Sequence, residues 1–297
     1  SLFSASKEES HKYFSLSTER KTILIIGISA GFASVFGTPL AGALFALEVL
    51  FFSKISFKSI IPSFFTAFVA FYTVEFLHVK HTHYSIPFVP ELSISNLGWV
   101  LFVGVLFGLT ALFFSRITHF FGKVFSKLIT FPPVRPLLGG LILSIAFYFI
   151  GSTKYIGLGI PTIVDSFQNA SENYDFLLKI LFTAFTLGAG FKGGEVTPLF
   201  FIGATLGSAL SAFVPLPIAL LAGMGFVAVF SGATHTPITC TIMGVELFGF
   251  TCGIYIGIAC LTAYFCSGSI GIYSSQITKG PKYVLYNRFK KQEFKNI

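Results

Sequence analysis

Hydrophobic positions along this chain gather into long runs, approximately residues 22–52, 59–77, 97–121, 135–150, 176–187, 198–214, 217–232, 238–250 and 252–265. Several fall well short of the roughly 20 residues that a helix needs to cross the hydrocarbon core of a bilayer. Short apolar segments ended by Gly and Pro predict tilted, half-spanning or re-entrant helices. In transporters such interrupted pieces meet near the midplane and build the substrate site. Polar connections at 79–95 and 166–175 separate the runs.

Composition agrees with this pattern. Hydrophobic residues make up 54% and charged residues 11% of the chain, against about 25% charged in soluble domains. Phe alone supplies 39 of 297 residues, and the mean hydropathy is +0.81. The expected fold is all-α: a polytopic helical membrane protein embedded in lipid, multi-pass in a cell membrane, with the bacterial inner membrane as the expected compartment. No soluble motor domain of a nucleotide-driven pump is visible. Nor is there a paired nucleophile and base, a metal-ligand pair on one helix or a cofactor motif, so the reading is not an enzyme and includes no metal or cofactor.

The net charge of +8 is uneven. Lys279, Lys282, Arg288, Lys290, Lys291 and Lys295 crowd the C-terminal end with one acid, Glu293. A short basic end beside a membrane span marks the cytoplasmic side rather than a nucleic-acid tail, so the C-terminus is expected to be cytoplasmic and 279–297 a basic tail. Lys7, Lys12, Arg20 and Lys21 mix with Glu8, Glu9 and Glu19, which constrains orientation less. Cys240, Cys252, Cys260 and Cys266 sit in apolar surroundings and read as lipid- or core-facing small residues, not a disulfide frame. His78, His81 and His83 read as a loop at the membrane surface, because their spacing beside Pro87 and Pro90 fits no standard metal site.

An internal repeat organises the chain. Residues 27–48 read GISAGFASVFGTPLAGALFALE, and 225–246 read GFVAVFSGATHTPITCTIMGVE. At a constant offset of 198 residues Gly27 matches Gly225, Thr38-Pro39 matches Thr236-Pro237, and Glu48 matches Glu246. Each copy is an apolar stretch, a Thr-Pro break and a second apolar stretch ending in a glutamate. Duplication of this kind builds the pseudo-twofold folds of secondary transporters. It predicts one transmembrane domain in which 1–130 is the remainder of a first repeat and 131–278 a second. The chain opens Ser-Leu-Phe, so the first repeat is expected to be incomplete. Glu48 and Glu246 could relay protons, but the favoured reading makes them structural acids bonded to neighbouring helix ends.

The break at 188–198, Gly-Ala-Gly-Phe-Lys-Gly-Gly-Glu-Val-Thr-Pro, carries one carboxylate between two apolar runs. Irregular backbone at membrane depth survives only inside protein or beside water, and an ionisable residue there is a functional-site candidate. Gly193 and Gly194 permit unusual backbone shapes and close approach. Pro198 suits the first turn of a helix, whose free N–H groups attract an anion. That helix is expected from Leu199 onward, with Gly203 and Gly207 packing closely against a neighbour. Glu195 could occupy the anion site when ionised and leave it when protonated, or it could cap its own helix. Lys192 could neutralise it or stand at the aqueous mouth. Tyr273, after the break Ser267-Gly-Ser-Ile-Gly-Ile, could donate its hydroxyl to an anion or belong to an interfacial aromatic belt. Tyr155 is a candidate of lower rank.

These residues resemble the CLC family of chloride channels and transporters. Gly194-Glu195-Val196-Thr197-Pro198, followed by Ile202-Gly203-Ala204-Thr205-Leu206-Gly207, is similar to its Gly-x-Phe-x-Pro helix start. The Pro39…Glu48 and Pro237…Glu246 segments resemble its paired helices, and Tyr273 falls where its anion-binding tyrosine is expected. Two departures, Val196 in place of the aromatic with Glu195 before it, and Val49 after Glu48 in place of a proton-relay glutamate, resemble the fluoride-exporting clade. That resemblance implies fluoride/proton antiport, with Glu195 and Thr197 coupling fluoride to protons and Tyr273 lining the path. It also implies a homodimer. A chloride channel or chloride/proton exchanger is the alternative, and a non-transporting fragment or accessory membrane subunit a second one. The family's gating glutamate, in Gly-Arg-Glu-Gly, has no counterpart here, and its expected place is upstream of Ser1.

Overall fold

A computed structural model describes residues 18–51, 57–273 and 282. The expected mixed segment 6–21 and basic tail 279–297 therefore lie outside the described residues, apart from 18–21 and Lys282. Among the described residues the chain is helical, without a strand: α1 (Thr18–Phe36), α2 (Pro39–Phe51), α3 (Phe57–Phe76), α4 (Ile94–Leu128), α5 (Val134–Ile150), α6 (Ile160–Asp165), α7 (Asp175–Gly188), α8 (Val196–Ala209), α9 (Ile218–Thr234), α10 (Pro237–Phe248) and α11 (Gly253–Cys266).

The lengths bear out the mixture of helix types. At 1.5 Å per residue, α4, with 35 residues, reaches about 52 Å, which exceeds a hydrocarbon core of about 30 Å and requires a tilt. In contrast α2 has 13 residues and α10 has 12, or under about 20 Å each, so neither crosses alone. The apolar run at 22–52 is two helices, because Gly37 takes a left-handed φ of 69° and Pro39 starts the next helix. Only Thr38 and Pro39 mark that boundary, too short a break for hydropathy to separate the two. Likewise α8 begins at Val196, three residues before Leu199, which places Pro198 in its first turn.

The repeat is visible as antiparallel packing. Glu48 in the last turn of α2 accepts the Ile238 and Thr239 N–H groups at the start of α10, at 3.0 and 2.7 Å. Glu246 in the last turn of α10 accepts those of Leu40 and Ala41 at the start of α2, both at 2.9 Å. Two helices joined head to tail at both ends run in opposite directions, as an inverted repeat requires. Around them Phe32 and Phe230, also 198 apart, stack at 6.2 Å between centroids. Phe45 stacks on both, and Phe200 meets Phe230 edge-on. This aromatic layer joins the two halves in one core.

Small residues set the closest approaches. A Cβ on Gly203 of α8 would lie 2.0 Å from the Gly225 carbonyl oxygen of α9, and one on Gly207 would lie 2.1 Å from that of Leu221. The close packing expected of this glycine pair is therefore real: the backbones touch, as small residues allow between membrane helices. The cysteines are all free, with Cys240, Cys252 and Cys260 buried.

Candidate functional site

The site is built on the junction of α7 and α8. The chain leaves α7 at Gly188 and turns at Gly190, whose φ of 93° suits glycine alone. A Cβ on Gly193 or Gly194 would meet nothing within 4 Å. These two glycines are therefore not required by packing; they leave open space in front of the next helix. Glu195 is the N-cap residue of α8, yet its side chain makes no cap hydrogen bond. Its Oε2 is buried and has no hydrogen-bond partner.

Consequently the first turn of α8 keeps free N–H groups. Leu199 N–H is answered by the Glu195 carbonyl at 3.2 Å, and Pro198 has none to offer. Val196 and Thr197 supply the orphan donors expected at a helix start, and the positive end of the helix favours an anion there. Val196 also packs against the main core. Lys192 does not neutralise Glu195: it is exposed, and the ion pairs among the described residues are Lys154–Asp175 and His81–Glu75.

Tyr273 comes from the far end of the chain to within electrostatic reach of this carboxylate. Its approach is fixed by neighbours that sequence reading missed. The Ile272 N–H donates to the Ala233 carbonyl at 3.0 Å, and His119 of α4 holds the Gly271 carbonyl through Nε2 at 3.1 Å. Thus α4 and α9 hold the backbone of the segment after α11 just before Tyr273. A carboxylate that can gain or lose a proton, free N–H donors and a phenol that can donate form a set able to hold a small anion and exchange a proton. Glu195, Val196, Thr197 and Tyr273 are thus brought together, with Gly193 and Gly194 leaving room before them.

Glu48 and Glu246 are placed elsewhere, each occupied with two backbone N–H groups of the opposite repeat. That geometry favours the structural role over the relay. Cys240, buried on α10, lies within electrostatic reach of both Glu48 and Tyr273.

Tyr155 is also away from the break. Its hydroxyl donates to Asp175 Oδ1 at 2.6 Å, and Lys154 donates to Oδ2 of the same fully buried carboxylate. Beside them Lys179, 1% exposed, donates to the Tyr155 and Gly157 carbonyls at 3.0 and 2.7 Å. This cluster fastens the α5–α6 connection to α7. The three histidines do not converge on a common ligand: His81 Nε2 bonds the Ser34 carbonyl at 2.9 Å and the ring packs under Gly37.

Comparison with known proteins gives the arrangement its family. A model described as voltage gated chloride channel matches residues 1–268. A chloride/fluoride channel protein of Pseudomonas syringae pv. tomato is 49% identical over 264 residues, which cover 87% of this chain and 58% of that protein. The crystal structure of a CLC-type fluoride/proton antiporter superposes with a TM-score of 0.84 at 36% identity, covering 87% of this chain and 66% of the other. A slow cyanobacterial Cl⁻/H⁺ antiporter shares the fold at a TM-score of 0.69 and 22% identity, over 94% of this chain and 67% of the other. The chain spans 58% of the length of its Pseudomonas relative. Matched over nearly all of its length by that family model, the chain belongs to the voltage-gated chloride channel (CLC) family.

Proposed function

We propose that the protein to which this chain belongs exports fluoride in exchange for protons, with Glu195 as the coupling carboxylate. The observation that carries this reading is the buried, unpartnered Oε2 of Glu195 at the open start of α8, beside Tyr273. A carboxylate in a low-dielectric site without hydrogen-bond donors is costly to keep ionised. Proton uptake removes that cost and takes away the charge that would oppose an anion at the helix start. Thr197 and Tyr273 add hydroxyls that suit a small, strongly hydrated halide. Support for fluoride comes from a relative named for chloride and fluoride and from a neighbour described as a fluoride/proton antiporter.

Chloride/proton exchange is the second reading, since the same Pseudomonas protein is named for chloride as well. The proposed setting is a cell membrane, with the basic C-terminal end on the cytoplasmic face. The proposed assembly is a homodimer with one pathway per subunit. The proposed organisation is one domain, with a repeat boundary near residue 130.

Full-length protein in liposomes loaded with fluoride or chloride tests the proposal. Fluoride release that drives proton uptake, with chloride at least tenfold slower, is expected. Chloride moving as fast as fluoride would replace the first reading with the second, and absence of any halide flux would overturn both.

A further inference from the structure

One lysine of the C-terminal end turns back into the protein. Lys282 is 1% exposed; its ammonium donates to Ser267 Oγ at 2.7 Å and stands 4.6 Å from the centroid of the Tyr264 ring. The other edge of the cluster is His235, whose ring meets the same tyrosine edge-on at 5.9 Å. His235 is 5% exposed and its Nε2 has no hydrogen-bond partner. It closes α9 in a left-handed conformation, φ 59°, at the position that matches Gly37 in the first repeat. A bulky residue in that conformation is uncommon and invites a reason.

Among the described residues no carboxylate pairs with Lys282, and His235 and Lys282 lie close enough for their charges to interact. An ammonium has three donors, of which Ser267 answers one. A buried cation without an anion is strongly disfavoured, and the unpartnered His235 Nε2 beside it leaves a second polar atom unanswered. Lys179 makes the contrast: it is equally buried, but two carbonyls answer it and the Phe201 ring covers it at 4.9 Å. Lys179 is a finished internal staple, whereas Lys282 and His235 leave donor positions unanswered around one tyrosine ring.

We infer that Lys282, His235 and Ser267 form a second anion station, separate from the Glu195 and Tyr273 site, which takes a small inorganic anion of the halide class. An anion there accepts from the Lys282 ammonium and from a proton on His235 Nε2, and it neutralises the pair. Ser267 opens the stretch 267–273 that ends at Tyr273. The inference rests on the anion-transport reading for its ligand class, but it requires no proton coupling.

Equilibrium binding of fluoride and of chloride to full-length protein in detergent, followed by calorimetry, tests the station apart from transport. Wild type is expected to bind at two classes of site, and Lys282→Met to lose one while keeping the other. In liposomes the same variant should raise the half-saturating halide concentration about tenfold, the scale of one lost charged hydrogen bond, with the proton-to-halide ratio unchanged. Should Lys282→Met not fold, His235→Asn carries the test, because Asn tolerates the left-handed turn and removes Nε2. Unchanged binding in a folded variant overturns the station even if wild type transports. Loss of one binding class in a protein that transports nothing supports the station and counts against the transport reading alone.

Discussion

Glu48 and Glu246 cap each other's helices. Each carboxylate stands in the last turn of its own helix and accepts two N–H groups at the start of the other's helix, across 190 or more residues. Thr236, the residue placed to cap α10 locally, makes no cap bond of its own. The repeat therefore closes on itself: the acid supplied by one copy satisfies the helix start of the other. Hydrogen bonds to a charged group contribute about 1.5–3 kcal/mol each, and the helix dipole favours a negative charge at that end.

Replacing Glu48 or Glu246 by Ala is accordingly expected to lower stability by at least about 2 kcal/mol, read as a fall in Tm in detergent. Gln, which keeps one acceptor oxygen, should lose less. Under the relay role, Gln at either position would instead stop proton exchange at unchanged Tm, so the two measurements together separate cap from relay.

Glycine substitutions should divide sharply by place. Gly203→Ala drives a Cβ to 2.0 Å from the Gly225 carbonyl, a contact relieved only by separating α8 from α9. Overpacking of this kind costs about 1–3 kcal/mol or more, and aggregation on size exclusion is the expected readout. Gly193→Ala meets nothing within 4 Å and should leave Tm unchanged. Equal losses in both variants would show that the open space before α8 is filled.

How far the sequence revealed this arrangement depends on the range of each contact. Pro39, Pro237 and the two glutamates stand at one fixed offset, so the paired helices and their acids were legible from spacing. The break before α8 was legible because Gly, Pro and a lone carboxylate interrupt an apolar run. His119 and Lys282 were not, since each acts on a backbone or hydroxyl group that arrives only when several helices cross. The Lys154–Asp175 and Lys179 cluster was hidden for the same reason, whereas the turn at Gly37 falls at the Thr38-Pro39 break that the repeat marked. The left-handed match between Gly37 and His235 was available in the repeat register, 198 residues apart, and was the signal that could have led to the second cluster.

Asp175 supports the α5–α6 connection through Tyr155 and Lys154, and the turn before α7 through the Glu172 N–H. Asp175→Ala leaves a phenol and an ammonium without their acceptor. Breaking a buried pair costs about 3–5 kcal/mol, and the lower end is expected because Lys154 is one-third exposed. The check is Tm, with Tyr155→Phe as the milder member at about 1 kcal/mol. Equal effects from the two variants would remove the ion pair from the account.

Glu195→Gln bears on mechanism with little structural confusion. The wild-type side chain makes no cap bond and its Oε2 has no partner, so the substitution removes no hydrogen bond that α8 depends on. Tm is therefore expected not to fall, because a neutral amide replaces a buried carboxylate that is costly to ionise. Transport should respond quite differently. Gln cannot take up and release a proton, so halide movement in the complete protein should cease or continue without proton movement. A pH electrode and a halide electrode on the same vesicles distinguish these outcomes from wild-type exchange. If protons still move with halide at the wild-type ratio, the coupling group lies elsewhere, and Glu195 reverts to a residue that merely precedes a helix.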